Sequence, residues 1–322
     1  MSAFRSALVS GATGFLGSAL VEHLLARGID TFCLVRPPCA DHARTLPSAV
    51  RAVAVSSFTA SELKSKLAGV KADVIFNLAS YGVQQADRDP AQLIEGNVGV
   101  LAGLLEATAS WPLRRFIHVG SCSEYGSPER DNVPITETQT LRPTSLYGAA
   151  KAASFLFGGA LASQLQIPFA TMRLFGVFGP HEAPDRVVPY LIRKLRNNEP
   201  VDLTPGEQVR DFLYEDDVME AFVATGESSA LKSGEVYNVC SGRPTRVREL
   251  GEAVADALGK PHQLLHWGER PYRADEPMWL VGDNRRFRAA TSWQPRVSVE
   301  EGIRRMIASS AIEKTREHQH AL

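Results

Sequence analysis

Tyr147 and Lys151 stand four residues apart in "TSLYGAAKAA", a segment that reads as helix, so both side chains fall on one face about a turn apart. A phenol with an ordinary pKa of about 10 is a weak proton donor or acceptor at neutral pH. An ammonium on the same face, together with the positive nicotinamide ring of an oxidised cofactor, would lower that value. Upstream, "FIHVGSCSEYG" ends a strand with Ser121 and Ser123, hydroxyls placed to orient a substrate oxygen. The chemistry these groups share is hydride transfer between a nicotinamide and a carbon, with Tyr147 moving the proton of the attached oxygen.

Such chemistry needs a bound dinucleotide, and "LVSGATGFLGSAL" is built to hold one. Gly11 permits a tight turn off the first strand, Gly14 lets backbone approach a pyrophosphate, and Gly17 allows close helix packing. Phe15 and Leu16 open the helix whose N-terminal N–H groups and dipole face the phosphates. After the second strand, "TFCLVRPP" places Arg36 where NAD-binding folds of this kind usually carry an acid. A guanidinium there suits a 2′-phosphate, which favours NADP over NAD. The alternatives are a merely solvated Arg36 and a ribose contact from Asp41, with NAD as cofactor.

Short β-branched runs alternating with amphipathic segments must position these residues. "SALVS", "TFCLV", "VRAVAV", "ADVIFNLA" and "RFIHVGS" read as strands, with helices at "FLGSALVEHLLAR", "SELKSKLAG" and a long one through "NVGVLAGLLEATAS". This rhythm predicts an α/β fold, a doubly wound parallel sheet covered on both faces. The dinucleotide domain is placed at residues 1–175, with segments near 211–240 returning to it. Residues 176–312 form a smaller α/β substrate-binding region, and the polar stretch 313–322 is expected to fray.

The motifs "GATGFLG", "DVIFNLAS", "GSCSEYG", "YGAAK" and "GEQVRDFLYEDDV" follow in the order and spacing of the extended short-chain dehydrogenase/reductases, and the chain resembles their NAD-dependent epimerase/dehydratase family along nearly its whole length. The resemblance implies a Rossmann domain, Tyr147 as catalytic acid/base, Lys151 on the nicotinamide ribose and Ser121 on the substrate oxygen. It also implies that Asn77, Leu78 and Ala79 line the cofactor, that Asn97 supports the site, and that Arg210 contacts a nucleotide or its diphosphate. "RPYRADEPMWLVGD" and "RFRAATSWQP" look most like the branch of GDP-4-keto-6-deoxymannose reductases and GDP-mannose dehydratases, where Arg273 corresponds to an arginine on the sugar diphosphate. The resemblance further implies a homodimer built on paired helices, for which "AASFLFGGALASQL" is a candidate interface and equally a candidate core helix.

Two departures from the family pattern are informative. Dehydratases carry one or two acids just after the Ser/Thr, and Cys122 and Ser123 stand there instead, which argues against 4,6-dehydration. Gly176 replaces an Asn that contacts substrate in relatives, which points to an unusual substrate or to another polar group such as His181 taking over, although His181 reads first as an ordinary loop histidine. The leading reading is an NADPH-dependent reductase of a nucleotide-linked 4-keto-6-deoxyhexose. A nucleotide-sugar 4-epimerase holding NAD is the second, and a non-catalytic dinucleotide sensor the third.

Composition bounds the rest. Of 322 residues, 44% are hydrophobic, and 35 Lys and Arg balance 36 Asp and Glu, so no overall field attracts nucleic acid or an anionic membrane. No apolar run reaches the roughly 20 residues of a membrane span, and the N-terminus lacks a signal-peptide layout, so a cytoplasmic location is the expectation. Cys33, Cys39, Cys122 and Cys240 are scattered and read as reduced thiols. His262, His266, His318 and His320 lack ligand spacing, so no metal site is assigned.

Overall fold

The computed structural model describes residues 4–37, 44–83, 87–130, 132–273 and 276–320, with side chains as far as residue 309. Cys39 and Asp41, and the side chains of His318 and His320, lie outside the described residues.

From the N-terminus, β1 (Ser6–Ser10), α1 (Phe15–Ala26), β2 (Asp30–Val35), β3 (Arg51–Ala54), α2 (Ala60–Lys66) and β4 (Val74–Asn77) follow in turn. Then come α3 (Pro90–Ile94), α4 (Val100–Thr108), β5 (Arg115–Ser121), α5 (Leu146–Gln164) and β6 (Phe169–Leu174). The chain next leaves for a smaller region with β7 (Gly176–Phe178), α6 (Val187–Arg196), β8 (Val201–Leu203) and β9 (Val209–Tyr214). It returns through α7 (Glu215–Glu227) and β10 (Glu235–Val239), and ends with β11 (Pro244–Arg246), α8 (Val247–Ala257), β12 (Leu265–Trp267), β13 (Trp279–Leu280), α9 (Arg285–Thr291) and α10 (Val299–His320).

The large sheet runs β10-β6-β5-β4-β1-β2-β3, and every pairing in it is parallel. Strand order reverses between β1 and β4, and a crevice at the carboxyl ends of the strands is where such sheets bind ligands. One core, on the face covered by α1 and α7, includes Leu20, Phe76, Met172 and Phe222. The other, under α2, α4 and α5, includes Phe32, Leu63, Leu104 and Phe169. A third core joins α6, α8 and α10 of the smaller region through Leu191, Leu250 and Ile303. Short strand β7 follows β6 after one residue and pairs with β9, so the smaller region starts at the crevice itself.

One local difference from the periodicity bears on the site. The long helix starts earlier, at Pro90, and is interrupted by a single π-helical turn at Glu95–Gly99. The widened turn brings the Asn97 side chain inward, where its amide donates to the Leu93 carbonyl at 2.8 Å and the Tyr81 carbonyl at 2.9 Å. The acidic run in "YEDDV" becomes the first turn of α7, where burial pushes the Glu215 carboxyl up to about 8 and Asp217 accepts the Arg296 and Val297 N–H groups.

Candidate active site

The glycine turn fits a dinucleotide phosphate. Gly11 has φ +71°, and a Cβ there would come within 2.7 Å of the Ala79 backbone at the end of β4. A Cβ on Gly17 would stand 1.9 Å from the Gly11 carbonyl oxygen. Gly14 differs, since its nearest neighbour would be 3.4 Å away and the residue is exposed, so its missing side chain leaves room on the solvent side. Gly14 caps α1 without any side-chain hydrogen bond, and no acid occupies the first turn. The N–H groups around Phe15, Leu16 and Gly17 therefore face the crevice uncapped. Arg36 is exposed one residue beyond β2, at the same edge.

Ser121 ends β5 and also caps the short 3₁₀ turn Cys122–Glu124. Its hydroxyl accepts the Ser123 N–H at 3.2 Å, while Glu124 accepts the Ser121 N–H at 2.8 Å. Ser145 caps α5 by accepting the Gly148 N–H at 3.0 Å, and this places Tyr147 in the first helical turn. Gly148 is pressed against that 3₁₀ turn, where a Cβ would meet the Ser123 carbonyl at 2.3 Å. This close approach brings Tyr147 to Ser121.

Burial pushes the Tyr147 phenol up to about 12, against the opposing pull of the Ser121 and Ser80 hydroxyls, so in the protein without cofactor it lies above the ordinary phenol value and not below it as the spacing with Lys151 predicts. Lys151 is 3% exposed and donates to the Val119 carbonyl at 2.5 Å. Burial lowers its ammonium to about 8, with Glu124 acting in the opposite direction. Ser80 donates to Asn97 at 2.7 Å, which links the π-helical turn to the tyrosine.

Beneath these groups lies a buried polar chain. Ser10 donates to Asn77 at 2.6 Å, the Asn77 amide meets His118 at 3.2 Å, and His118 meets Ser154 of α5 at 2.7 Å. Burial first, then Lys151, hold His118 well below the ordinary imidazole range, so it is neutral. The Asn77 side chain is thus committed inside the protein, and Leu78 and Ala79 form the partly exposed edge beyond it.

On the smaller region, Arg210 of β9 is partly buried and ion-paired with Glu276. Arg273 is exposed in the preceding loop, and its carbonyl accepts the Glu276 N–H at 3.1 Å. Glu276 therefore ties the segment carrying Arg273 to Arg210. Cys122 is partly exposed, and burial pushes its thiol up to about 12. At Gly176 a Cβ would meet the Asp211 carbonyl at 2.7 Å, so close pairing of β7 with β9 accounts for glycine there. His181 sits 3.5 Å from Glu215 at the start of α7.

Sequence reasoning missed Ser80, His118, Glu124, Ser154, Arg173 and Glu276. Arg173 and Glu124 left a signal. An arginine inside the apolar strand "FATMRL" must find a buried partner, and Glu124 in "GSCSEYG" is that partner, at 2.6 Å.

A doubly wound dinucleotide fold with Ser, Tyr and Lys gathered at one edge defines the short-chain dehydrogenase/reductase class. Within that class, the NAD dependent epimerase/dehydratase family matches residues 7–240, and the chain belongs to it. It is 30% identical over 310 residues to a UDP-glucose 4-epimerase of Mycolicibacterium smegmatis, covering 93% of this chain and 96% of that one. It is 28% identical over 331 residues to a dTDP-glucose 4,6-dehydratase of Xanthomonas campestris pv. campestris, covering 92% and 90%. The structure of a UDP-glucose 4-epimerase from Thermus thermophilus in complex with NAD superposes with a TM-score of 0.82 at 25% identity, covering 94% of this chain and 98% of that one.

Proposed function

We propose that this protein is an NADPH-dependent reductase of a nucleotide-linked 4-keto-6-deoxyhexose. The observation that carries this reading is the meeting of Ser121, Tyr147 and Lys151 with no carboxylic acid at positions 122 and 123. Glu124, the nearest acid in sequence, is fully buried and committed to Arg173 and the Ser121 N–H, so it is not available to eliminate water.

When bound, the nicotinamide supplies the hydride. Ser121 holds the keto oxygen of the sugar. Tyr147, neutral until about pH 12, donates its proton to that oxygen as the carbon is reduced. The Lys151 ammonium stabilises the phenolate left behind. Arg36 recognises the 2′-phosphate of the cofactor, while Gly11, Gly14 and Gly17 shape its pyrophosphate cradle with Phe15 and Leu16. Leu78 and Ala79 line the same edge, and Asn77 supports it from below. Arg210, Arg273 and Ser123 face the nucleotide sugar, which residues 176–312 receive.

A second reading, a 4-epimerase with retained NAD, is supported by the near full-length likeness to the Mycolicibacterium enzyme. Purified protein separates the two. A reductase should arrive without stoichiometric NAD and consume added NADPH on a panel of nucleotide 4-keto sugars. Tightly held NAD with no net consumption would favour the epimerase.

A further inference from the structure

We propose that Glu124 is a positioning residue of this site: clamped by Arg173, its carboxylate fixes the turn that presents Ser121 and supplies the counter-charge of the buried Lys151. The proposal rests on the reading that Ser121, Tyr147 and Lys151 carry the chemistry.

Glu124 is 0% exposed and Arg173 1% exposed. One carboxylate oxygen accepts the Ser121 N–H at 2.8 Å, and the other accepts the Arg173 Nε–H at 2.6 Å. The guanidinium lies 4.7 Å from the centre of the Tyr125 ring and 4.5 Å from that of Phe155 on α5. The neighbouring strand makes room as well, because a Cβ on Gly120 would come within 2.5 Å of the carboxylate. A buried ion pair is weak evidence of stabilisation, since an apolar pair of similar shape often serves as well. Here the carboxylate has two further tasks. It accepts the N–H of Ser121, and it opposes the burial that strips charge from Lys151.

The titratable groups whose charge acts on Lys151, or on which it acts, are His118 on β5 and Glu124 on the turn. His118 is held neutral, and burial pushes the Glu124 carboxyl up against the pull of Arg173, the Ser121 N–H and Lys151, so it is the Arg173 clamp at 2.6 Å that lets Glu124 carry its charge beside Lys151.

The test is a ¹³Cε-lysine NMR titration of the full chain without substrate or cofactor, the Lys151 signal being assigned by its loss in Lys151→Met. Glu124→Gln keeps the shape and removes the charge, so the Lys151 midpoint should fall by about one pH unit. An unchanged midpoint overturns the counter-charge. Glu124→Asp keeps the charge but withdraws it from Ser121, so kcat should fall about tenfold while the Lys151 midpoint holds. Unaltered kcat there overturns the Ser121 role. If Glu124→Gln does not fold, Glu124→Gln with Arg173→Gln leaves no unpaired buried guanidinium, and its Lys151 midpoint must lie below that of Arg173→Gln alone, in which the same cation is missing. A midpoint at or above it overturns the proposal. Because the titration uses no substrate, a shifted midpoint with neither reductase nor epimerase turnover would count against the assigned reaction alone.

Discussion

Burial acts in opposite directions on the two titratable groups of the α5 face. It keeps the Tyr147 phenol protonated to about 12 and brings the Lys151 ammonium down to about 8. Tyr147→Phe should therefore lower kcat by roughly 10²–10⁴ while leaving the cofactor dissociation constant unchanged, measured by turnover and by fluorescence titration. The charged form of Lys151 is the one needed, and it is lost as pH rises through about 8. Hence kcat/KM for reduction should fall on the alkaline side of about pH 8, in a profile taken at constant ionic strength. Arg36 gives a third residue-scale expectation. It is exposed at the end of β2, so Arg36→Ala should weaken NADPH about tenfold or more and leave NADH nearly untouched. Equal losses for both cofactors would remove the 2′-phosphate contact. The positions of Tyr147 and Lys151 on one helix and of Arg36 just after a strand were legible in the sequence through helical spacing and strand pattern. Glu276 was not, because its partner Arg210 lies 66 residues away and only the folded loop brings them together.

Among the elements, the start of α1 tolerates least change. Gly17→Ala would drive a methyl into the Gly11 carbonyl, a backbone atom that cannot step aside. The expected result is a loss of about 2 kcal/mol or more in stability and a clear loss of dinucleotide affinity, read by thermal melting with and without cofactor. Five of the seven strands of the large sheet, β1 to β5, were readable because each is a short apolar run ended by polar or glycine residues, as in "SALVSG" and "RFIHVGS", whereas β6 and β10 were not read as strands. The π-helical turn was not. The residues around Asn97 keep a helical pattern of apolar side chains, and the extra residue in the turn follows from the Asn97 amide reaching the Leu93 and Tyr81 carbonyls. His118 and Ser154 were hidden for a related reason. Each is a polar residue on the inward face of its own element, and the complementarity exists only when β5 and α5 are packed.

At the scale of the whole molecule, α5 leaves Leu146 55%, Leu156 62% and Phe157 50% exposed on a helix whose other face holds the candidate site. We propose that a second copy of the chain covers this face. Leu156→Glu with Phe157→Glu should then shift elution from dimer to monomer at micromolar concentration, while an unaltered elution volume would remove the α5 interface. The smaller region was the least legible part in the sequence, since "RPYRADEPMWLVGD" carries no period. Its attachment rests on long-range contacts such as those of Asp211, which accepts from Ser241, Gly242 and Gly282. The pairing of Arg210 with Glu276 has one more consequence. On the proposed function, a diphosphate arriving at Arg210 would meet an arginine already neutralised, and its entry would be an exchange of one anion for another. Sulfate or orthophosphate, lacking the nucleoside and sugar contacts, would have to displace a tethered carboxylate with charge alone. On that reading the closed ion pair would act as a filter against small ions, with Glu276 joining Arg210 to the Arg273 carbonyl until a larger ligand replaces it.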